Sequence, residues 1–218
     1  GSGVIEGACK NVVAERFFDE AGGTQLVLHA PLGARVNKAW GLALRSRLRR
    51  KFGFEVQASA TDDGINLSVG PEYSFPFDEV LLLLRARDVR EALLHSVLAS
   101  PVFVTRWRWA ATRSLALPRF AGGRRVPPAV QRMRAEDLLA MVFPEQAASA
   151  DAAVAAGRRL PDHPLLFEAL RDCFHEAMDA DGLRRVLRGI EAGRIQFFGR
   201  DTPTPSAFSH QVLNAMPY

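Results

Sequence analysis

The sequence lacks the short motifs by which several enzyme classes are recognised. It contains no Gly-x-x-x-x-Gly-Lys-Ser/Thr phosphate loop, because the glycine-rich run at 121–125 has neither the lysine nor the hydroxyl that holds phosphate and magnesium. Residues 175–179 begin like a zinc-protease helix, but Asp179 stands where a second histidine ligand is required. We therefore expect no catalytic residue, no metal site and no cofactor within this chain.

Long apolar runs and cysteines are also scarce. The longest aliphatic cluster, residues 80–84, is far too short to span a bilayer. Cys9 and Cys173 lie far apart without ligand-spaced histidines, which favours reduced thiols over a disulfide or a zinc site. No charged and then apolar leader follows Gly1 and Ser2, so nothing indicates secretion. We expect a soluble cytoplasmic protein with no membrane partner.

Acidic residues are absent from two basic stretches. Residues 31–54 hold seven basic side chains, and residues 100–134 hold eight arginines together with two of the three tryptophans. Because the net charge of the chain is only +4, the rest of the sequence is acidic. Segregated arginines interleaved with aromatic residues are typical of a surface that binds a polyanion, and here they indicate nucleic acid.

Hydrophobic periodicity predicts an α+β fold. Apolar runs at 11–18 and 24–30 flank a glycine-bearing loop, and runs at 54–60 and 65–69 flank an Asp-Gly turn, so each pair predicts a β-hairpin. A helix is predicted at 34–52, ended by Gly53. We expect a small antiparallel sheet with one packed helix in residues 1–76.

In residues 77–218 the apolar residues recur mostly at helical spacing, which predicts a mainly helical second module. A short strand at 195–198 is expected to rejoin a sheet, and the alanine-rich tract 147–159 is predicted as a surface helix or loop. The predicted helices are 77–84, 88–98, 101 to about 117, 128–143, 164–178 and 182–192.

Two tryptophans lie on the helix that Pro101 opens. At helical spacing Arg106, Trp109 and Arg113 share one face, whereas Trp107 lies on a more apolar face. This pattern predicts that one indole packs and the other is presented, with Trp109 exposed if the helix is regular to Arg113. The alternative is that both indoles are core and the arginines only solvate the surface.

Several runs of the sequence resemble the large helicase-related (Lhr) family of superfamily-2 helicases. The Trp-Arg-Trp run and the Arg-Asp-Thr-Pro-x-Pro-Ser run are the most specific, and the resemblance covers nearly the whole chain except 147–160. The matching runs are 14–20 (AERFFDE), 34–45 (ARVNKAWGLALR), 105–109 (TRWRW), 123–133 (GRRVPPAVQRM), 134–139 (RAEDLL) and 200–206 (RDTPTPS).

The resemblance implies that this chain is the family-specific domain that follows two RecA-like ATPase lobes and a winged helix. Proteins of this family are ATP-dependent 3′-to-5′ translocases on single-stranded DNA, unwind RNA–DNA hybrids and are linked to DNA repair. ATP and magnesium would then belong to the lobes of a parent helicase in the bacterial nucleoid. The family domain follows the tracking strand, and one of its tryptophans stacks on a base.

The leading prediction is therefore a non-catalytic domain that binds single-stranded DNA. The resemblance matches Trp107 or Trp109 to the stacking position, and it also implies a DNA contact from Val36, which the helical wheel places on the packing face. The predicted phosphate contacts are Arg35, Lys38, Arg45, Arg49, Arg106, Arg108, Arg113, Arg124 and Arg125.

Two other functions stay open at this point. The basic faces of a structural clamp would instead dock on acidic surfaces of the helicase's own ATPase lobes or of a partner protein. A metal-dependent nuclease is the third possibility, although no carboxylate and histidine cluster supports it.

Overall fold

The computed structural model describes residues 11–20, 22–53, 55–70, 77–144, 160–215 and 217. The chain divides into two compact units. We call them the sheet unit, within residues 1–96 and 178–218, and the helical unit, within residues 97–177. The boundary between the two units lies at residues 96 and 97, and the C-terminal segment from residue 178 belongs to the sheet unit. Cys9 and the tract 147–159 lie outside the described residues.

The sheet unit is built on five strands in the order β3, β4, β2, β1, β7. Both predicted hairpins are confirmed, with β1 antiparallel to β2 and β3 antiparallel to β4. The α+β class is confirmed, and the strand predicted at 195–198 does rejoin the sheet, where it pairs in parallel with β1. The strands are β1 Asn11–Phe18, β2 Thr24–His29, β3 Val56–Ala60, β4 Gly64–Val69 and β7 Gln196–Asp201.

Helix α1, Ala34–Phe52, has the bounds that the sequence predicted. Gly53 ends it in the left-handed conformation at φ 75°, and the Gly53 amide donates to the Arg49 carbonyl. The buried Asn37 amide nitrogen lies within hydrogen-bond distance of carbonyls at Ala30 and Thr61, which joins the helix to both hairpins. Helix α1 packs on β3 and β4.

Further helices complete the sheet unit. The short last helix packs on β2 and β4, where Val212 joins a cluster with Phe17 and Val27. None of the described helices has the length and apolarity that a membrane crossing requires. These elements are α2 Phe77–Leu82, a 3₁₀ turn Ala86–Asp88, α3 Val89–Leu98, α7 Ala180–Glu191 and α8 Ser209–Leu213, with the boundary between units in the last turn of α3.

The helical unit packs its first helix against the two that follow. Ser100 caps that helix by accepting from the Val102 amide, and Pro101 occupies its first turn. The helix stops four residues before the predicted end, because Leu115 adopts a left-handed φ of 63°. The elements are α4 Pro101–Arg113, β5 Phe120–Ala121, β6 Arg124–Arg125, α5 Pro128–Val142 and α6 Pro164–Asp172, which continues as a π turn Cys173–Ala177.

Candidate nucleic-acid interface

An open groove of about 650 Å³ lies on the surface of the helical unit. It is bounded by the second half of α4, the β5–β6 hairpin and the first turns of α5. Five arginines and one indole dominate its lining, and no acidic residue takes part. The lining residues are Arg108, Trp109, Thr112, Arg113, Arg119, Arg125, Pro128, Gln131 and Arg132. We call this feature the arginine groove.

The two tryptophans of α4 have opposite environments. Trp107 is fully buried, and its indole nitrogen donates to the Ala135 carbonyl at 2.8 Å. Trp109 is 45% exposed and lines the arginine groove. The Arg106 guanidinium lies over the Trp109 ring, 4.6 Å from its centroid, but does not itself line the groove. Only Trp109 therefore has a surface that a base could contact, while Trp107 anchors α4 to α5.

The arginines of the groove differ in how far their charge is neutralised. Arg113 forms an ion pair with Asp172, whose side chain is only 5% exposed. Arg108, Arg119, Arg125 and Arg132 have no ion-pair partner within residues 97–144 and 160–177. The groove consequently carries a net positive charge in a concave, partly apolar setting, which favours phosphate or another anion.

The β5–β6 hairpin forms one wall of the groove. Gly122 and Gly123 have φ values of 58° and 74°, the two positive values that a tight two-residue hairpin turn requires. The Val126 amide donates to the Arg119 carbonyl at 2.8 Å and extends the ladder beyond the two paired residues of each strand. The predicted phosphate contacts did not include Arg119 or Arg132. The adjacent glycines at 122 and 123 predict a hairpin, and this signal could have pointed to Arg119 at its start.

The predicted residues of α1 belong to the sheet unit and are partly engaged there. Val36 is buried, so it has no surface for a strand. The Arg35 guanidinium donates to the Met178 carbonyl, and Arg49 pairs with Glu55 at 3.2 Å. Of the other predicted contacts, Lys38 and Arg45 are half-buried on α1, Arg106 is half-buried on α4, and Arg124 is exposed on β6 outside the groove lining.

A second polar cluster in the sheet unit surrounds a buried carboxylate. Glu15 is 5% exposed and accepts hydrogen bonds from the Ser206 amide, the Ser206 and Ser209 hydroxyls and the Thr202 hydroxyl, at 2.7 to 3.1 Å. The His29 Nε2 atom lies 2.9 Å from the same carboxylate. Burial raises the pKa of Glu15, but the hydrogen bonds from Ser206, His29 and Ser209 outweigh it and lower the pKa to about 2.

This cluster joins two runs that carried the family resemblance. Arg16 pairs with Asp201 through two hydrogen bonds of 2.6 and 3.0 Å, and the Thr202 amide donates to the Arg16 carbonyl. Residues 14–20 and 200–206 therefore clasp each other across the β1–β7 pairing. We call this contact the Glu15 clasp, and its role in this unit is structural.

A family model described as DEAD/H associated matches residues 8–209, almost the whole chain. The chain belongs to the DEAD/H associated family. This membership and the relatives below confirm the resemblance to Lhr helicases.

Among the DEAD/H associated relatives, a segment of the "Lhr helicase/uracil glycosylase" of Escherichia coli (strain K12) is 31% identical over 212 residues, which is 97% of this chain and 13% of that protein. The "Lhr helicase/ probable uracil glycosylase" of Mycolicibacterium smegmatis is 32% identical over 92% of this chain and 12% of its own length. The chain thus spans about an eighth of each of these relatives.

A solved structure gives the same result for the fold. It is described as Mycobacterium smegmatis helicase Lhr bound to ssDNA and AMP-PNP, and it matches with a TM-score of 0.76 and 31% identity. The match covers 94% of this chain and 24% of that one.

In the described ranges, no group of three or more His, Cys, Asp or Glu side chains could hold a metal ion.

Proposed function

We propose that this chain is a non-catalytic domain of an Lhr-type ATP-dependent helicase that holds single-stranded DNA in the arginine groove. The observation that carries the proposal is the exposed Trp109 indole within a groove lined by five arginines. In this assignment a base stacks on Trp109, and the guanidiniums of the groove contact the phosphates on either side.

The chemistry of the groove supports a single strand in particular. Stacking on an aromatic side chain requires an unpaired base, because the faces of paired bases in a duplex are covered by their neighbours. The Arg106 guanidinium over Trp109 braces the ring and adds a cation–π contact. Arginine is suited to the phosphates because its planar fork can donate two hydrogen bonds to one phosphate group.

The remaining activity belongs to the parent protein in this proposal. The parent is a superfamily-2 helicase whose RecA-like lobes bind ATP and magnesium and move along DNA in the 3′-to-5′ direction. RNA–DNA hybrids, DNA repair and the bacterial nucleoid are its proposed substrate, pathway and location. Support comes from relatives named as ATP-dependent helicases, such as the Lhr-Core protein 2 of Thermococcus barophilus, 25% identical over 86% of this chain.

The basic residues of α1 form a second proposed set of phosphate contacts. Lys38 and Arg45 are half-buried on α1. Arg35 and Arg49 already interact within the sheet unit. We therefore expect these four residues to contribute less to affinity than the arginine groove.

A titration of the chain with a fluorescently labelled single-stranded oligonucleotide tests the proposal. Replacing Trp109 by Ala is expected to weaken binding by about 1 to 3 kcal/mol, the usual value of one stacked base. Trp109→Phe keeps an aromatic platform and is expected to lose less. Phe167→Ala, an exposed aromatic residue of the same unit that does not line the groove, is the matched control.

Salt provides an independent readout of the same complex. Because each arginine–phosphate contact releases counterions, the logarithm of the affinity should fall linearly with the logarithm of the salt concentration. The proposal would be overturned if the affinity for the oligonucleotide changed neither with the salt concentration nor on replacing Trp109 by Ala. A chain that ignores DNA and instead binds separately produced ATPase lobes would favour the structural clamp.

A further inference from the structure

The β5–β6 hairpin presents an aromatic side chain to solvent beside the arginine groove. Phe120 is 63% exposed, and the residues around it are basic: Arg119 precedes it, and Arg124 and Arg125 lie on the opposite strand. We propose that Phe120 is a second base-stacking platform, which extends the binding site of a single strand from the groove onto the hairpin. This inference rests on the proposed function of the groove.

The strand register places Phe120 next to the groove. Phe120 pairs directly with Arg125, and directly opposed residues of two antiparallel strands project their side chains on the same face. Arg125 lines the groove, as does Arg119, the neighbour of Phe120 in the chain. A strand that leaves the groove past Arg125 therefore meets the Phe120 ring within the reach of a cross-strand pair.

The backbone of the hairpin that carries Phe120 is fixed by its turn and by its two ends. Nothing lies within 4 Å of a side chain added at Gly122 or Gly123, so the two glycines are required for their left-handed backbone rather than for space. The ends of the hairpin are anchored by Leu117 and Val126, both buried. Because the backbone under Phe120 is already ordered, binding a base costs little backbone freedom, which favours affinity.

The charge around Phe120 selects the occupant. Arg125 is paired with Phe120 on the same face, Arg119 and Arg124 are further residues of the hairpin segment, and residues 100–134 contain no Asp or Glu. An exposed aromatic ring among guanidiniums is unsuited to a purely apolar partner, because docking such a partner would desolvate charges without pairing them. A base stacked on the ring, with its phosphates on the arginines, satisfies both parts of the surface.

The test compares two lengths of oligothymidylate, which has no secondary structure of its own, with the 218-residue chain. We use lengths of about four and about twelve nucleotides, within the range of known single-strand site sizes. Phe120→Ala is expected to weaken binding of the longer oligonucleotide by about 5- to 150-fold and to leave the shorter one unchanged. Trp109→Ala is expected to weaken binding of both.

Conservative variants separate stacking from a general apolar contact. Phe120→Tyr keeps the ring and should retain the affinity of the original chain for the longer oligonucleotide, whereas Phe120→Leu should lose it. Phe167→Ala again serves as the control for removing an exposed aromatic residue from the helical unit. Circular dichroism verifies that each variant is folded.

The outcomes distinguish this inference from the proposed function. If Trp109→Ala weakens binding but Phe120→Ala matches the original chain at both lengths, the second platform is refuted and the groove stands. Retention of affinity by Phe120→Leu would also refute it, since an aliphatic side chain cannot stack. If the original chain binds neither oligonucleotide, both the platform and the groove fail.

Discussion

Replacing Glu15 by Gln should destabilise the sheet unit strongly at neutral pH. The carboxylate is buried and accepts hydrogen bonds from Ser206, Ser209 and Thr202, and an amide of the same size cannot accept all of them. A pKa lowered from 4.5 to about 2 corresponds to about 3 kcal/mol of stabilisation of the folded state. We expect a loss of that order at pH 7.

The effect should depend on pH in a defined direction. Because the pKa of Glu15 is lower in the folded than in the unfolded state, its stabilisation is complete above the unfolded pKa of about 4.5. It is lost as the pH falls from about 4.5 through about 2, where the folded state also binds the proton. The difference between the original chain and Glu15→Gln should therefore shrink over this window.

Urea unfolding at a series of pH values measures this difference directly. Glu20→Gln, the same change at an exposed carboxylate two residues beyond β1, is the control and should have little effect. Amide hydrogen exchange in β1 and β2 assigns the loss to the sheet unit. Equal stability of Glu15→Gln and the original chain at pH 7, or a difference that stays constant down to pH 2, would refute this account of the clasp.

Two further predictions concern the packing of each unit. Trp107→Phe leaves a gap and removes the indole hydrogen bond to the Ala135 carbonyl, so it should cost about 2 to 4 kcal/mol in urea unfolding, whereas Trp109→Phe should leave stability unchanged. Equal effects would contradict the buried and exposed assignments. Gly64→Ala places a methyl group 2.5 Å from the Leu28 carbonyl oxygen, so thermal unfolding should show a loss of stability of about 1 to 3 kcal/mol. An unchanged melting temperature would contradict the close approach of β2 and β4.

Local signals in the sequence were sufficient for much of the fold. Gly53 marked the end of α1 correctly, and the alternation of apolar residues gave both hairpins. The spacing of Trp107 and Trp109 favoured Trp109 as the exposed indole on condition that the helix is regular to Arg113, and left open that both are core; the helix does run to Arg113, with Trp107 buried and Trp109 exposed. These features depend on residues close together in the chain, so turn residues and the spacing of apolar side chains are enough to predict them.

The features that were missed depend on contacts between distant residues. The hydrogen bond between Glu15 and Ser206 joins residues more than 190 positions apart, and the hydrophobic periodicity of the sequence cannot predict such a contact. The sequence predicted that a strand at 195–198 rejoins a sheet, but not that this strand lies beside β1 and parallel to it. Tertiary packing, rather than local preference, decides each of these.

Because Ser206 and Ser209 lie near the end of the given sequence, the Glu15 clasp makes the sheet unit sensitive to truncation. The helical unit is inserted between the two halves of the sheet unit, so the arginine groove has been synthesised in full well before Ser206 and Ser209 emerge. A premature stop between the groove and residue 206 would remove the Ser206 and Ser209 donors of Glu15. In a shortened protein of this kind the sheet unit would be destabilised, although every residue of the groove remained present.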